Sequence, residues 1–300
     1  MNGGQEVEKR RCAVGDRLRD RAWLWRFRLR ARLERRFGVP QALDADGGPQ
    51  SAAEPDASLP KRIWIYWRQG WDEAPDLVRR CRHSWETRNP GWEVVALDAG
   101  SAARLAPPRR VGWPNMSRNH EANFLRIDLL AAHGGIWADA TTFCAVPLDA
   151  WLPPLAGNGF FAFARPGKDR LLATWFLAAT PRNPLVLGWQ ARCDRYARLA
   201  RSAGFYFWFP YLFADLCRSD AAALRLWKAT PRVSAGPSHW VQWSVTGAAG
   251  AEDPGATPVH KLDWRLPMPA QGEAGPLAAL LKDEPAGPLP PPRHAAGEPR

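Results

Sequence analysis

Between residues 119 and 142 the chain concentrates side chains suited to a polyhydroxylated, anionic ligand. Asn119, Asn123 and Arg126 recur at i, i+4 and i+7, placing two amides and a guanidinium on one stripe of an otherwise apolar helix. Gly134-Gly135 ends that run, and Asp139 closes the short segment Ile136-Trp137-Ala138, with Thr141 two residues later. A carboxylate accepts from sugar hydroxyls or binds a cation, amides suit sugar or ribose, and arginine suits a diphosphate. A second group is Tyr66-Trp67-Arg68-Gln69-Gly70, an aromatic and a cation beside a flexible glycine. A third is Ser238-His239-Trp240-Val241-Gln242-Trp243, whose rings fit either the C–H face of an acceptor sugar or the core. Ser-His-Asp and Gly-rich phosphate-loop patterns do not occur, which argues against hydrolase and kinase chemistry.

The surrounding pattern predicts the elements that would hold these groups. Residues 61–67 form a β-rich run. Residues 74–88 read as a helix with Leu77, Cys81 and Trp85 on one stripe, and 92–97 as a strand after the Asn89-Pro90-Gly91 turn. The polar-striped helix is expected over 119–133, stopped by the glycine pair, with strands at 136–139 and 159–164 and a helix at 184–199. Such alternation predicts an α/β fold, a mainly parallel sheet covered by helices. In such sheets the ligand crevice lies beyond the carboxyl ends of the strands, where Trp67 and Asp139 stand.

The chain has 300 residues, 46% hydrophobic and 24% charged, which excludes wholesale disorder. Its formal charge of +11 is unevenly spread: residues 1–40 hold twelve of the 41 Lys/Arg and five of the 30 Asp/Glu. That appendage is expected to be a basic amphipathic helix. Over 16–37, Leu18, Ala22, Trp25, Leu29, Leu33 and Phe37 recur every three or four residues among arginines. The composition suits an anionic membrane surface, and the same stripe also fits docking on the protein's own core. With the charge confined to this helix, nucleic acid is not expected as a partner. Residues 41–60 read as a linker, 61–265 as the catalytic domain, and 266–300, with nine prolines and four glycines, as a disordered tail. Five scattered cysteines without a CxxC pair fit reduced thiols in the cytoplasm, and no run of 18 apolar residues predicts a membrane span.

The segment Leu59-Pro60-Lys61-Arg62-Ile63-Trp64-Ile65-Tyr66-Trp67 resembles the opening of glycosyltransferases that carry a DXD sugar-binding region. Ala122-Asn123-Phe124-Leu125-Arg126, Leu129-Leu130 and Gly134-Gly135-Ile136-Trp137-Ala138-Asp139 are similar to their next motif. Gly-Gly-Ile-Trp-Ala-Asp-Ala-Thr, with Pro258-Val259-His260-Lys261-Leu262 as a closing segment, looks most like the capsular polysaccharide synthesis branch. The resemblance covers about residues 59–265. It implies a type A glycosyltransferase fold, with a single Rossmann-like, mainly parallel sheet flanked by helices. It implies a bacterial enzyme that moves a sugar, with retention, from a nucleoside-diphosphate sugar (UDP favoured) to a growing capsular or other surface polysaccharide or lipid-linked glycan. The expected place is the cytoplasm, at the inner face of the membrane.

By position, the resemblance has Trp67 stack on the base, Asn123 and Arg126 contact ribose or donor sugar, and Asp139 act as the catalytic carboxylate. Thr141 and Lys261 would complete the donor site, and Asp139 with His260 would hold a divalent cation, Mn2+ or Mg2+. Three positions depart from the pattern: Trp64 replaces a histidine, Asn123 replaces the helix aspartate, and Thr141 replaces the second DXD aspartate. A hydroxyl is a weaker cation ligand than a carboxylate, which weakens the case for a metal. The departures keep open an alternative, a non-catalytic sugar-binding or scaffold protein on the same fold.

Overall fold

The computed structural model describes residues 3–44, 59–109, 111–114, 116–248, 257–270 and 272–282, with side chains from residue 16 onward. In chain order these form α1 (Gly3–Phe37), α2 (Gln41–Asp44), β1 (Arg62–Tyr66), α3 (Asp76–Arg88), β2 (Glu93–Leu97), α4 (Ala99–Leu105), α5 (Arg118–His133), β3 (Gly135–Ala138) and β4 (Thr142–Cys144). There follow β5 (Phe160–Gly167), β6 (Arg170–Ala179), α6 (Pro184–Leu199), α7 (Trp208–Ser219), α8 (Ala221–Ala229), α9 (Gly236–Thr246), β7 (Val259–Lys261) and α10 (Pro276–Leu281).

The main sheet has the order β2-β1-β3-β6-β5, and β4 pairs with β7 in a second, two-stranded sheet. β2, β1 and β3 are parallel, while β6 runs antiparallel to both β3 and β5. Four of the five strands therefore point one way and β6 is reversed, the mainly parallel α/β arrangement that the strand–helix alternation predicts. β6 itself was not predicted. Its sequence, RLLATWFLAA, is buried on both faces and has no period-2 alternation to mark it as a strand.

Side-chain alternation splits the core into two layers. Ile63 and Ile65 of β1, Ile136 and Ala138 of β3, and Phe161 and Phe163 of β5 pack on the α3 side with Val78 and Trp85. Trp64, Tyr66, Trp137, Phe160 and Ala162 pack on the other side with Phe124 of α5, Trp189 of α6 and Trp208 and Phe209 of α7. Most of the tryptophans are spent here. Trp64, Trp85, Trp189 and Trp227 are buried, and each donates its indole N–H to a backbone carbonyl, so the large ring is placed without an unsatisfied polar group. Trp64, at the family's histidine position, is thus a core residue whose N–H meets the Gly134 carbonyl at 2.9 Å.

The appendages differ from expectation. Residues 41–44 form α2 rather than linker: Leu43 and Asp44 are buried, and Asp44 pairs with Arg165. Residues 45–58 of the expected linker lie outside the described residues. Likewise the expected disordered tail contains α10, whose Leu277 and Leu281 are buried against Val241 of α9 and Leu262. Residues 283–300 lie outside the described residues. Helix α1 docks on α6 and α7, but not through the predicted stripe. Phe27 and Ala31 are buried, with Phe27 edge-on to Tyr196 at 5.1 Å, and the Trp23 indole donates to Asp215. Leu18, Trp25, Leu29, Leu33 and Phe37 remain exposed.

Candidate active site

The turn after β3 carries the proposed catalytic carboxylate, and its backbone is closely fixed. Gly134 and Gly135 have φ of +63° and +90°. A Cβ at Gly134 would lie 2.6 Å from Pro181, and one at Gly135 would lie 2.6 Å from the Arg62 carbonyl, so only glycine lets α5 turn back between β1 and β6. Beyond β3, the Asp139 N–H donates to the Trp175 carbonyl and the Thr142 N–H to the Asp139 carbonyl, each at 2.8 Å. The β1–β3 register, Trp64 opposite Trp137, brings the carboxyl ends of both strands, and hence Trp67 and Asp139, to one edge of the sheet.

Asp139 is gripped through one oxygen. Arg126 Nη2 and the Trp137 indole both donate to Oδ1, at 2.6 and 2.8 Å, while Arg126 Nη1 donates to Asn123 Oδ1 at 2.9 Å. Oδ2 takes no hydrogen bond among the described residues, and the side chain is 29% exposed. One oxygen is locked and the other is left for a ligand. Arg126 is buried, its guanidinium 4.9 Å from the Trp137 ring centre and 5.7 Å from that of Phe209. Burial pulls its pKa down and Asp139 pulls it back. The nearby acids have other partners: Glu121 takes Arg68 and the Tyr66 hydroxyl, and Asp128 takes Arg109. Trp137 lies buried beneath the carboxylate, and its indole N–H positions it.

Lys261 reaches the same place from the other sheet. In the β4–β7 ladder Thr142 faces Lys261 and Phe143 faces His260. The Lys261 ammonium donates to Thr141 Oγ1 and to the Leu262 carbonyl, both at 2.7 Å. Burial pushes its pKa below the ordinary lysine value, and the field of Asp139 opposes that shift. His260 goes elsewhere. Successive strand residues face opposite ways, and opposed residues share a face, so His260 sits, half-buried, on the side of Phe143, which packs in the small core with Leu77 and Leu262.

Aromatic groups rim the site. Trp67 is half-buried and meets the exposed Trp264 edge-on at 6.5 Å, a partner sequence reasoning missed because Trp264 lies in an irregular loop. Tyr206, 64% exposed, accepts from Asn119 Nδ2 at 3.3 Å. His239 stacks on Trp243 at 5.2 Å and stands edge-on to Trp175. Burial first, then the charges of Lys261 and Arg170, push its pKa down to about 4, so the imidazole is neutral at neutral pH. Of the two uses open to the rings of 238–243, Trp240 takes the core, packed against the small cluster.

The donor set does not fit a divalent cation. Mg2+ and Mn2+ take mainly carboxylate oxygens. Among the described residues no three His, Cys, Asp or Glu side chains converge. Asp139 Oδ1 is committed to Arg126 and Trp137, the Thr141 hydroxyl receives an ammonium, and His260 faces the small core.

A family model described as capsular polysaccharide synthesis protein matches residues 48–271. Curated relatives include an O-glycosyltransferase of Phomopsis amygdali, 31% identical over 139 residues, covering 39% of this chain and 34% of that protein. An initiation-specific alpha-1,6-mannosyltransferase of Candida albicans is 24% identical over 144 residues, covering 45% and 36%. The chain spans about a third of the length of these curated relatives. Among solved structures, the PaToxG glycosyltransferase overlays with a TM-score of 0.38 at 12% identity, covering 56% of this chain and 73% of that one.

Proposed function

The chain belongs to the capsular polysaccharide synthesis protein family, and from that premise we propose that it is a glycosyltransferase using a nucleoside-diphosphate sugar. The observation that carries the reading is Asp139, held through Oδ1 by a buried arginine and an indole while Oδ2 takes no hydrogen bond among the described residues, at the carboxyl ends of β1 and β3. A preorganised carboxylate oxygen accepts a donor-sugar hydroxyl without reorganising, which is where an enzyme gains from a fixed dipole. Asn123 and Arg126 set that carboxylate, Lys261 and Thr141 face the diphosphate, and Trp67 with Trp264 offers a surface for the base. The exposed Trp243, stacked on neutral His239, is the platform for the acceptor sugar. Relatives named as an O-glycosyltransferase and a mannosyltransferase support a hydroxyl acceptor. A surface polysaccharide or lipid-linked glycan as acceptor, and retention of configuration, belong to the same reading.

The test is a panel of UDP- and GDP-sugars, including GDP-mannose, scored for donor hydrolysis and for transfer to glycan acceptors. Turnover of one donor is expected, and it should be lost in Asp139→Asn. Binding of a glycan with no affinity for any donor would instead favour the sugar-binding scaffold, to which Thr141 and Asn123 point.

A further inference from the structure

We propose that the Lys261 ammonium takes the place of a divalent cation, so that this protein binds the donor diphosphate without a metal. The inference rests on the donor reading above. Its basis is positional: the residue that would supply the second carboxylate is Thr141, and the atom against its hydroxyl is Lys261 Nζ, 2.7 Å away. The ammonium arrives on β7, pinned by the β4–β7 ladder and by the Leu262 carbonyl, so it does not have to be ordered when ligand binds. Two of its three N–H donors are used, leaving one for a phosphate oxygen. Arg126 and Lys261 put two positive charges beside Asp139, while Asp263, whose field also reaches Lys261, pairs with Arg265 at 3.7 Å, a balance that suits a diphosphate.

Calorimetry of the full chain with UDP and GDP, in EDTA and then in Mn2+, tests this. The nucleotide that binds is expected to do so within about threefold equally in both buffers. Lys261→Met should weaken binding by about tenfold or more, and Lys261→Arg should keep most of it. Thr141→Asp, which neutralises the ammonium without emptying its site, should also weaken binding and decides the matter if Lys261→Met fails to fold. Binding that vanishes in EDTA and returns with Mn2+ overturns the inference alone. So does undiminished binding in Lys261→Met or Thr141→Asp. Failure of both nucleotides to bind in either buffer overturns the donor reading as well.

Helix α1 independently carries a second inference. Its docked stripe centres on Phe27, and Leu18, Trp25 and Leu29 lie roughly 180° away at 100° per residue. They are 62%, 65% and 40% exposed. The exposed Arg21 and Arg32 flank this outer stripe on one side and Arg26 on the other. No described helix is long and apolar enough to cross a membrane. Apolar side chains between arginines match the acyl boundary and headgroups of an anionic leaflet, and we infer that α1 lies flat on such a bilayer while its inner stripe holds the enzyme. Cosedimentation of the full chain with phosphatidylcholine vesicles, with and without phosphatidylglycerol, should show binding only to the anionic ones, weakening with salt. Trp25→Ser/Leu29→Ser should abolish it. No anionic binding, undiminished binding in the double variant, or a concentration-dependent dimer that occupies the stripe instead would overturn it.

Discussion

Arg126 and Asp139 form a unit in which neither charge is independent. Removing one partner of a buried pair strands the other, at a cost of about 3 kcal/mol. Asp139→Asn is therefore expected to lower the melting temperature as well as turnover. Arg126→Met/Asp139→Asn should recover stability, since a flexible apolar chain then fills the slot between Trp137 and Phe209, while activity stays lost; thermal melts beside donor-hydrolysis assays check both. At His239 the pH dependence has a definite sign. Its folded pKa of about 4 lies below the ordinary 6.5, so between those values the unfolded chain binds a proton that the folded chain refuses. Stability from this residue is complete above pH 6.5 and is lost as pH falls toward 4, by up to ~3 kcal/mol. His239→Gln should flatten the fall in melting temperature between pH 7.5 and 5.

At the scale of elements, the passage from α5 to β3 decides where Asp139 points. Gly135→Ala combines a positive φ with a Cβ 2.6 Å from the Arg62 carbonyl. Gly70, also at positive φ (+94°), has nothing within 4 Å of its Cβ position. Gly70→Ala should therefore cost only the backbone strain, about 1 kcal/mol. Gly135→Ala should cost distinctly more and displace Asp139, lowering turnover and melting temperature together. Equal melting temperatures for the two variants would contradict this account. The same elements show what local patterning can resolve. The apolar stripe at residues 74–88 and the glycine stop after 119–133 mark α3 and α5 to within two residues, although α5 is buried on every side from Phe124 to Ala131. β6 is apolar on both faces, and its strand identity comes only from its neighbours.

Across the whole molecule, α1 is a structural part and not a detachable arm. Its Glu34 pairs with Arg218, Asp20 with Arg195 and Trp23 with the buried Asp215. Truncating residues 1–37 should lower the melting temperature by several degrees and expose the Phe27 site on Tyr196, an effect measurable by calorimetry and by dye binding. From the sequence alone came the strand–helix order, the Asn123–Arg126 stripe, the glycine stop and the carboxylate after it, because each rests on contacts a few residues apart. Tertiary structure alone decided which stripe of α1 docks, that β6 runs backward, that His260 turns into the small core and that Lys261 meets Thr141. Those outcomes join residues 120 positions apart at Lys261 and Thr141 and 192 apart at Trp23 and Asp215. Helical and strand periods say which residues share a face; they do not say what that face will meet, which depends on strand direction, register and the packing of distant elements.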